Sequence, residues 1–175
     1  MEGYKLPRIQ AVSQLPQEEQ NTILDKLFEP SSTLQLHCRS IIQQSGFSGY
    51  DDLIQAVKCK LQSLDTVTLD EVLASHARLG EKKVDSEQSR LEQAQLQSQS
   101  ASEGQKLTDM NHAYEKTFSG LRYLTFVDGR PRSTILADMQ TRIDRHDGAQ
   151  ERTDALDALC NIAEDRARKC QPSIQ

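Results

Sequence analysis

Apolar residues return every three or four positions along most of the chain, and the breakers between these runs predict a succession of helices. Ile23, Leu24, Leu27 and Phe28 form a stripe that begins after Pro16. Pro30 should end that helix, because proline lacks an amide and disfavours helical geometry at the residue before it. Leu34, Cys38, Ile41 and Ile42 form a second stripe up to Ser45-Gly46, and Leu53, Ile54, Val57 and Leu61 form a third. The third opens with Asp51 and Asp52, whose negative charges suit a helix amino terminus.

Thr68-Leu69-Asp70-Glu71 reads as a capping box and places the start of the fourth helix at Thr68. Its stripe, Leu69, Val72, Leu73 and His76, turns the imidazole toward the core, and Gly80 is expected to end it. Residues 86–105 are rich in Gln and Ser, with little to bury in their second half, so a helix should give way to a mobile loop over 97–105. Leu107, Met110, Asn111, Tyr114 and Phe118 line the next helix, which Ser119-Gly120 ends. Leu121 to Val127 mixes β-branched and aromatic residues before Asp128-Gly129 and reads as a short extended segment, too short to imply a sheet. Ser133 is expected to cap a helix bearing Ile135, Leu136, Met139 and Ile143. After Asp147-Gly148 the longest helix carries Leu156, Leu159, Ile162, Ala163 and Arg166. The expected architecture is all-α: one helical bundle over 1–175, with 1–15 and 170–175 as tails.

Composition narrows the functional classes. In 175 residues, 21 Lys and Arg against 26 Asp and Glu give a net charge of −5, which offers no basic surface to a nucleic-acid backbone. No apolar run approaches the roughly 18 residues of a membrane span, and MEGYKLPRIQ lacks the apolar stretch of a secretory leader. These features point to a soluble protein of the cytoplasm or the peroxisome, although the terminal SIQ is not an SKL-type address. Cys38, Cys59, Cys160 and Cys170 form no CxxC pair and read as packing thiols.

Candidate chemistry sits where polar residues interrupt apolar stripes, at His76, at Asn111 with Tyr114, and at Arg166. Each is costly to bury without a partner, so each needs an explanation. A structural histidine and an ion-paired arginine are the plain explanations taken singly. Ser89, Glu92 and Gln93 stand at i, i+3 and i+4 on one helical face. That face is either solvated or meets His76, in which case the carboxylate would set the imidazole tautomer for acid/base work near neutral pH. Neither GxSxG, a P-loop, GxGxxG nor HExxH occurs, and His37-Cys38 has no second pair at metal-site spacing, so no metal site is expected. Gly129-Arg130-Pro131-Arg132 is a small basic turn, either solvated or facing an anion.

Taken in order, these residues resemble the OHCU decarboxylases, the 2-oxo-4-hydroxy-4-carboxy-5-ureidoimidazoline decarboxylases of urate breakdown. His76-Ala77-Arg78-Leu79-Gly80 is similar to the family's HPxLG, and Ser89 to Gln93 to its SxxEQ. Asn111-His112-Ala113-Tyr114 with Phe118 is similar to NxxYxxxFG, and Ile162 to Arg166 to the closing helix with its site arginine. A competing SxxE at Ser100 to Glu103 lacks the following Gln. Two positions depart from the pattern. Ala77 stands where the family has proline, removing a rigid φ, and FGFPF reads here as Phe118-Ser119-Gly120-Leu121-Arg122-Tyr123. The family's amino-terminal Arg-Pro-Phe is not recognisable.

The resemblance implies an all-helical, cofactor-free enzyme, commonly a homodimer, that decarboxylates the ureidoimidazoline to (S)-allantoin. It implies His76 as acid/base and proton donor, Glu92 as its partner and Arg166 as an electrostatic clamp. Ser89 and Gln93 would hold the ureido or carbonyl groups, and Ala77 with the backbone of Tyr123, Leu124, Thr125, Phe126 and Val127 would meet the substrate. Two other readings fit the same residues. One keeps the pocket but changes the heterocycle, motivated by Ala77 and the altered 118–123 segment; the other is a non-enzymatic helical interaction module using the acidic surface or the Gln/Ser-rich segment.

Overall fold

The computed structural model describes residues 4–80, 90–91 and 101–170, without the side chains of 101–103. Among these residues it contains eight helices of four residues or more and no strand. They are α1 (Ile9–Val12), α2 (Gln17–Phe28), α3 (Ser32–Ile42), α4 (Tyr50–Gln62), α5 (Thr66–Leu73), α6 (Ala101–Thr117), α7 (Arg132–Arg145) and α8 (Gly148–Cys170). The chain divides into two compact units, Met1–Val72 with Cys160–Gln175, and Leu73–Leu159.

In the first unit the sequence stripes become the core, since Leu24, Phe28, Leu34, Cys38, Leu53, Ile54, Val57 and Leu61 are fully buried. α2 follows Pro16 and stops at Phe28, after which Glu29 takes a positive φ of 73° ahead of Pro30. Ser31 caps α3 by accepting the Leu34 amide at 3.2 Å. Residues 4–15 do not form the expected tail. Leu6 and Val12 are buried, the Leu6 amide donates to the Cys170 carbonyl at 2.8 Å, and the Tyr50 hydroxyl donates to the Pro7 carbonyl at 2.9 Å. Two apolar residues in a polar stretch supply the reason, as burying each contributes about 1.5–3 kcal/mol.

α5 begins two residues before the expected start, at Thr66. Asp65 is its cap, accepting the Thr68 amide at 3.1 Å and the Thr68 hydroxyl at 2.6 Å. These bonds hold the Asp65 carboxyl below the usual aspartate value. The thiols divide: Cys38 and Cys160 are buried, whereas Cys59 is exposed and Cys170 half-buried, so only the first two are packing residues. None forms a disulfide.

In the second unit α6 and α7 pack against each other. Residues 101–105, expected in a loop, are the first turns of α6. Gln105 donates to Asp109 at 2.8 Å and Thr108 to the Gly104 carbonyl at 3.1 Å, so polar i,i+4 pairs support a stretch that has little to bury. α7 starts behind Pro131, whose carbonyl accepts the Thr134 and Ile135 amides, and Ser133 lies within the first turn instead of capping it. Asp147 caps α8 through two 3.0 Å bonds from the Ala149 and Gln150 amides. No helix of the described residues is long and apolar enough to cross a membrane.

Candidate functional site

His76 is 4% exposed and, contrary to the periodicity, lies beyond the end of α5 in an irregular turn. Backbone groups that leave a helix need other partners, and here distant side chains provide them. Arg122 Nη1 donates to the His76 carbonyl at 3.0 Å, and Asn111 Nδ2 donates to the Leu79 carbonyl at 3.0 Å. Arg78 makes a bidentate pair with Glu115, from Nε at 2.6 Å and Nη2 at 2.5 Å. Gly80 closes the turn at φ 77°, where a Cβ would collide with Leu107. The interrupting Asn111 thus has a concrete partner, and the His76 turn is tied to α6 and to the segment after it.

That segment, residues 121–127, forms neither helix nor strand. Tyr123, Leu124, Thr125 and Val127 are buried, Phe126 and Ala77 half-buried. Three of its carbonyls are occupied: Leu124 O accepts from Arg142 at 3.3 Å, Val127 O from the Arg130 amide at 2.8 Å, and Phe126 O from the Arg130 guanidinium. Among the described residues, no acceptor meets an amide of residues 123–127.

A buried polar network fixes the segment from behind. Tyr123 donates to Asp138, and its ring lies beneath the Arg142 guanidinium at 5.1 Å and edge-on to Tyr114 at 5.5 Å. Tyr114 donates to the fully buried Glu151 at 2.6 Å, and Glu151 also accepts from Arg142 at 3.3 Å and Arg145 at 3.1 Å. Burial, reinforced by the neighbouring carboxylates, pushes the Tyr114 and Tyr123 phenols well above the ordinary tyrosine value.

Arg166 belongs to the first unit, 2% exposed. Its Nη2 lies 2.6 Å from Glu29 Oε1 and its Nη1 3.4 Å from the Leu27 carbonyl. The ion-pair explanation therefore describes its immediate surroundings. Ser89, Glu92 and Gln93, and with them the expected contact between His76 and Glu92, lie outside the described residues. Among the described residues no group of three or more His, Cys, Asp or Glu could hold a metal ion. The sequence assigns no site role to Arg122 or Arg142, and marks Arg130 only as part of a basic turn. Arg122 carried one signal, because it stands in the segment that departs from the family pattern.

A chain with this helical fold, and with a buried histidine in an HxxLG turn tied to an NxxY helix, falls in a defined class. Residues 13–168 match the family model described as OHCU decarboxylase, and the chain belongs to that family. It is 28% identical over 158 residues to the 2-oxo-4-hydroxy-4-carboxy-5-ureidoimidazoline decarboxylase of Haloferax volcanii, covering 89% of this chain and 91% of that protein. A solved structure described as the crystal structure of (S)-allantoin synthase shares the fold with a TM-score of 0.68 at 19% identity. That match covers 94% of this chain but 54% of the other, so the chain spans about half of that protein's length.

Proposed function

We propose that this protein decarboxylates 2-oxo-4-hydroxy-4-carboxy-5-ureidoimidazoline to (S)-allantoin without a cofactor. The supporting observation is the His76 turn, its carbonyls held by Arg122 and Asn111, in the same unit as the row of unmatched amides at 123–127. Cleavage of the bond to the carboxylate releases CO2 and leaves an electron pair that the neighbouring ring imine accepts. A proton must then reach one face of the ring. No metal is required for those steps; orientation, charge stabilisation and a positioned proton donor suffice.

His76 is the proton donor in this reading, and the amides of 123–127 hold the ring edge. By resemblance, Glu92 partners the imidazole, Ser89 and Gln93 hold the ureido or carbonyl groups, and Arg166 is the electrostatic clamp. The test is circular dichroism on freshly generated substrate. Optically active allantoin should appear faster than in the spontaneous reaction; equal rates with and without protein reject the proposal.

A second reading keeps these residues and changes the heterocycle. It is favoured by one observation, that Arg122 of the altered 118–123 segment reaches the His76 carbonyl. A thermal-shift panel of urate-pathway and related heterocycles separates the two. Stabilisation by allantoin-like compounds alone supports the first reading, and stabilisation by another ring supports the second.

A further inference from the structure

The basic turn after Gly129 splits into two different arginines. Arg130 is spent locally, with its guanidinium on the Thr125 hydroxyl at 2.5 Å and on the Phe126 and Val127 carbonyls. Arg132 is 9% exposed, and its Nε and Nη1 are buried with no hydrogen-bond partner. A guanidinium carries five donors and a charge, and burying that charge without a counter-ion is unfavourable; with Nε and Nη1 closed off, Nη2 is the nitrogen left to meet an anion. It lines a cavity of about 680 Å³ beside α6 and α7, a volume within the range of small-molecule sites.

The walls of this cavity have a consistent chemistry. Lys106 and Met110 come from α6 at i,i+4 spacing; Arg132, Leu136 and Gln140 come from one stripe of α7, with Ser133 beside them. Pro131 at the helix start provides no side-chain cap, so the first-turn amides of α7 add positive potential at the end where Arg132 lies. Among the described residues, no acidic side chain lines the cavity. From these features we infer a binding site for a small oxyanion, carboxylate or phosphate, that carries an apolar body. Arg132, Lys106 and the start of α7 take the anion, while Met110 and Leu136 take the apolar part. Among the described residues, none of those assigned to the decarboxylation lines it, so the site goes beyond the proposed function.

Phenyl phosphate, benzoate and inorganic phosphate, titrated into the full chain at constant ionic strength and followed by calorimetry, test this. At least one of the two amphipathic probes should bind with a Kd below ~1 mM and more tightly than inorganic phosphate, and which of them does so identifies the anion. Arg132→Met, which keeps the bulk and removes the charge, should weaken that probe at least ~10-fold, roughly what one charge-assisted bond contributes. Lys106→Gln, at an exposed position, should weaken it in the same sense and serves if Arg132→Met does not fold. His76→Asn should leave the affinity unchanged even if the protein proves to have no decarboxylase activity. Failure of both amphipathic probes to bind, or affinities unaltered by both substitutions, overturns the inference.

Discussion

Asn111 sits among apolar neighbours because its amide meets the Leu79 carbonyl at 3.0 Å, so the polar interruption of the α6 stripe secures the turn that carries His76. Replacing it with leucine fills the space but leaves that carbonyl without its donor. Asn111→Leu should therefore lower stability by about 1–3 kcal/mol, measured as the urea midpoint. An unchanged midpoint would mean that the bond adds nothing. Arg122→Met acts on the same turn from a half-buried position. We expect it to reduce kcat more than it reduces stability, because the His76 carbonyl loses its anchor while the core is kept. Loss of stability with kcat intact would assign Arg122 to the fold alone.

Helices that bury an uninterrupted stripe between breakers were legible in the sequence, and α2, α3 and α4 match their apolar positions, α2 behind its proline and α4 with its acidic start. What was not legible depends on partners far along the chain. α5 ends at Leu73 instead of Gly80, with Arg122 and Asn111 holding carbonyls that a continued helix would have bonded internally. His76 was recognised as buried, but on a helix stripe instead of a turn, and Arg132 in the basic turn gave no sign of its burial. The same dependence joins α6, α7 and α8 through Glu151. This residue is fully buried, with Tyr114, Arg142 and Arg145 around it, yet it looks in sequence like any first-turn acid. Removing one member of a buried charge network leaves the others uncompensated and costs about 3–5 kcal/mol. Glu151→Ala should do so in chemical denaturation, with Glu151→Gln recovering part of the loss through the Tyr114 bond; equal stability of both variants with the parent would contradict the network's role.

Across the molecule all four tyrosines resist ionisation, Tyr4 and Tyr50 in the first unit and Tyr114 and Tyr123 in the second. Burial is the leading cause in each, because a phenolate would lose its hydration. A folded value raised above the unfolded one gives stability that is complete below about pH 10 and declines as pH rises beyond it toward the folded values. Phenolate absorbance at 295 nm should accordingly rise in step with loss of helical signal in both units. Smooth titration near pH 10 in a still-folded chain would show the phenols to be accessible. The catalytic proposal for the whole chain meets its sharpest test in the handedness of the product formed by His76→Asn. If the imidazole delivers the proton, the variant should fall at least ~100-fold, the usual contribution of a positioned acid, and any allantoin formed should be racemic. A folded His76→Asn protein that keeps both the parental rate and the (S) product would contradict it.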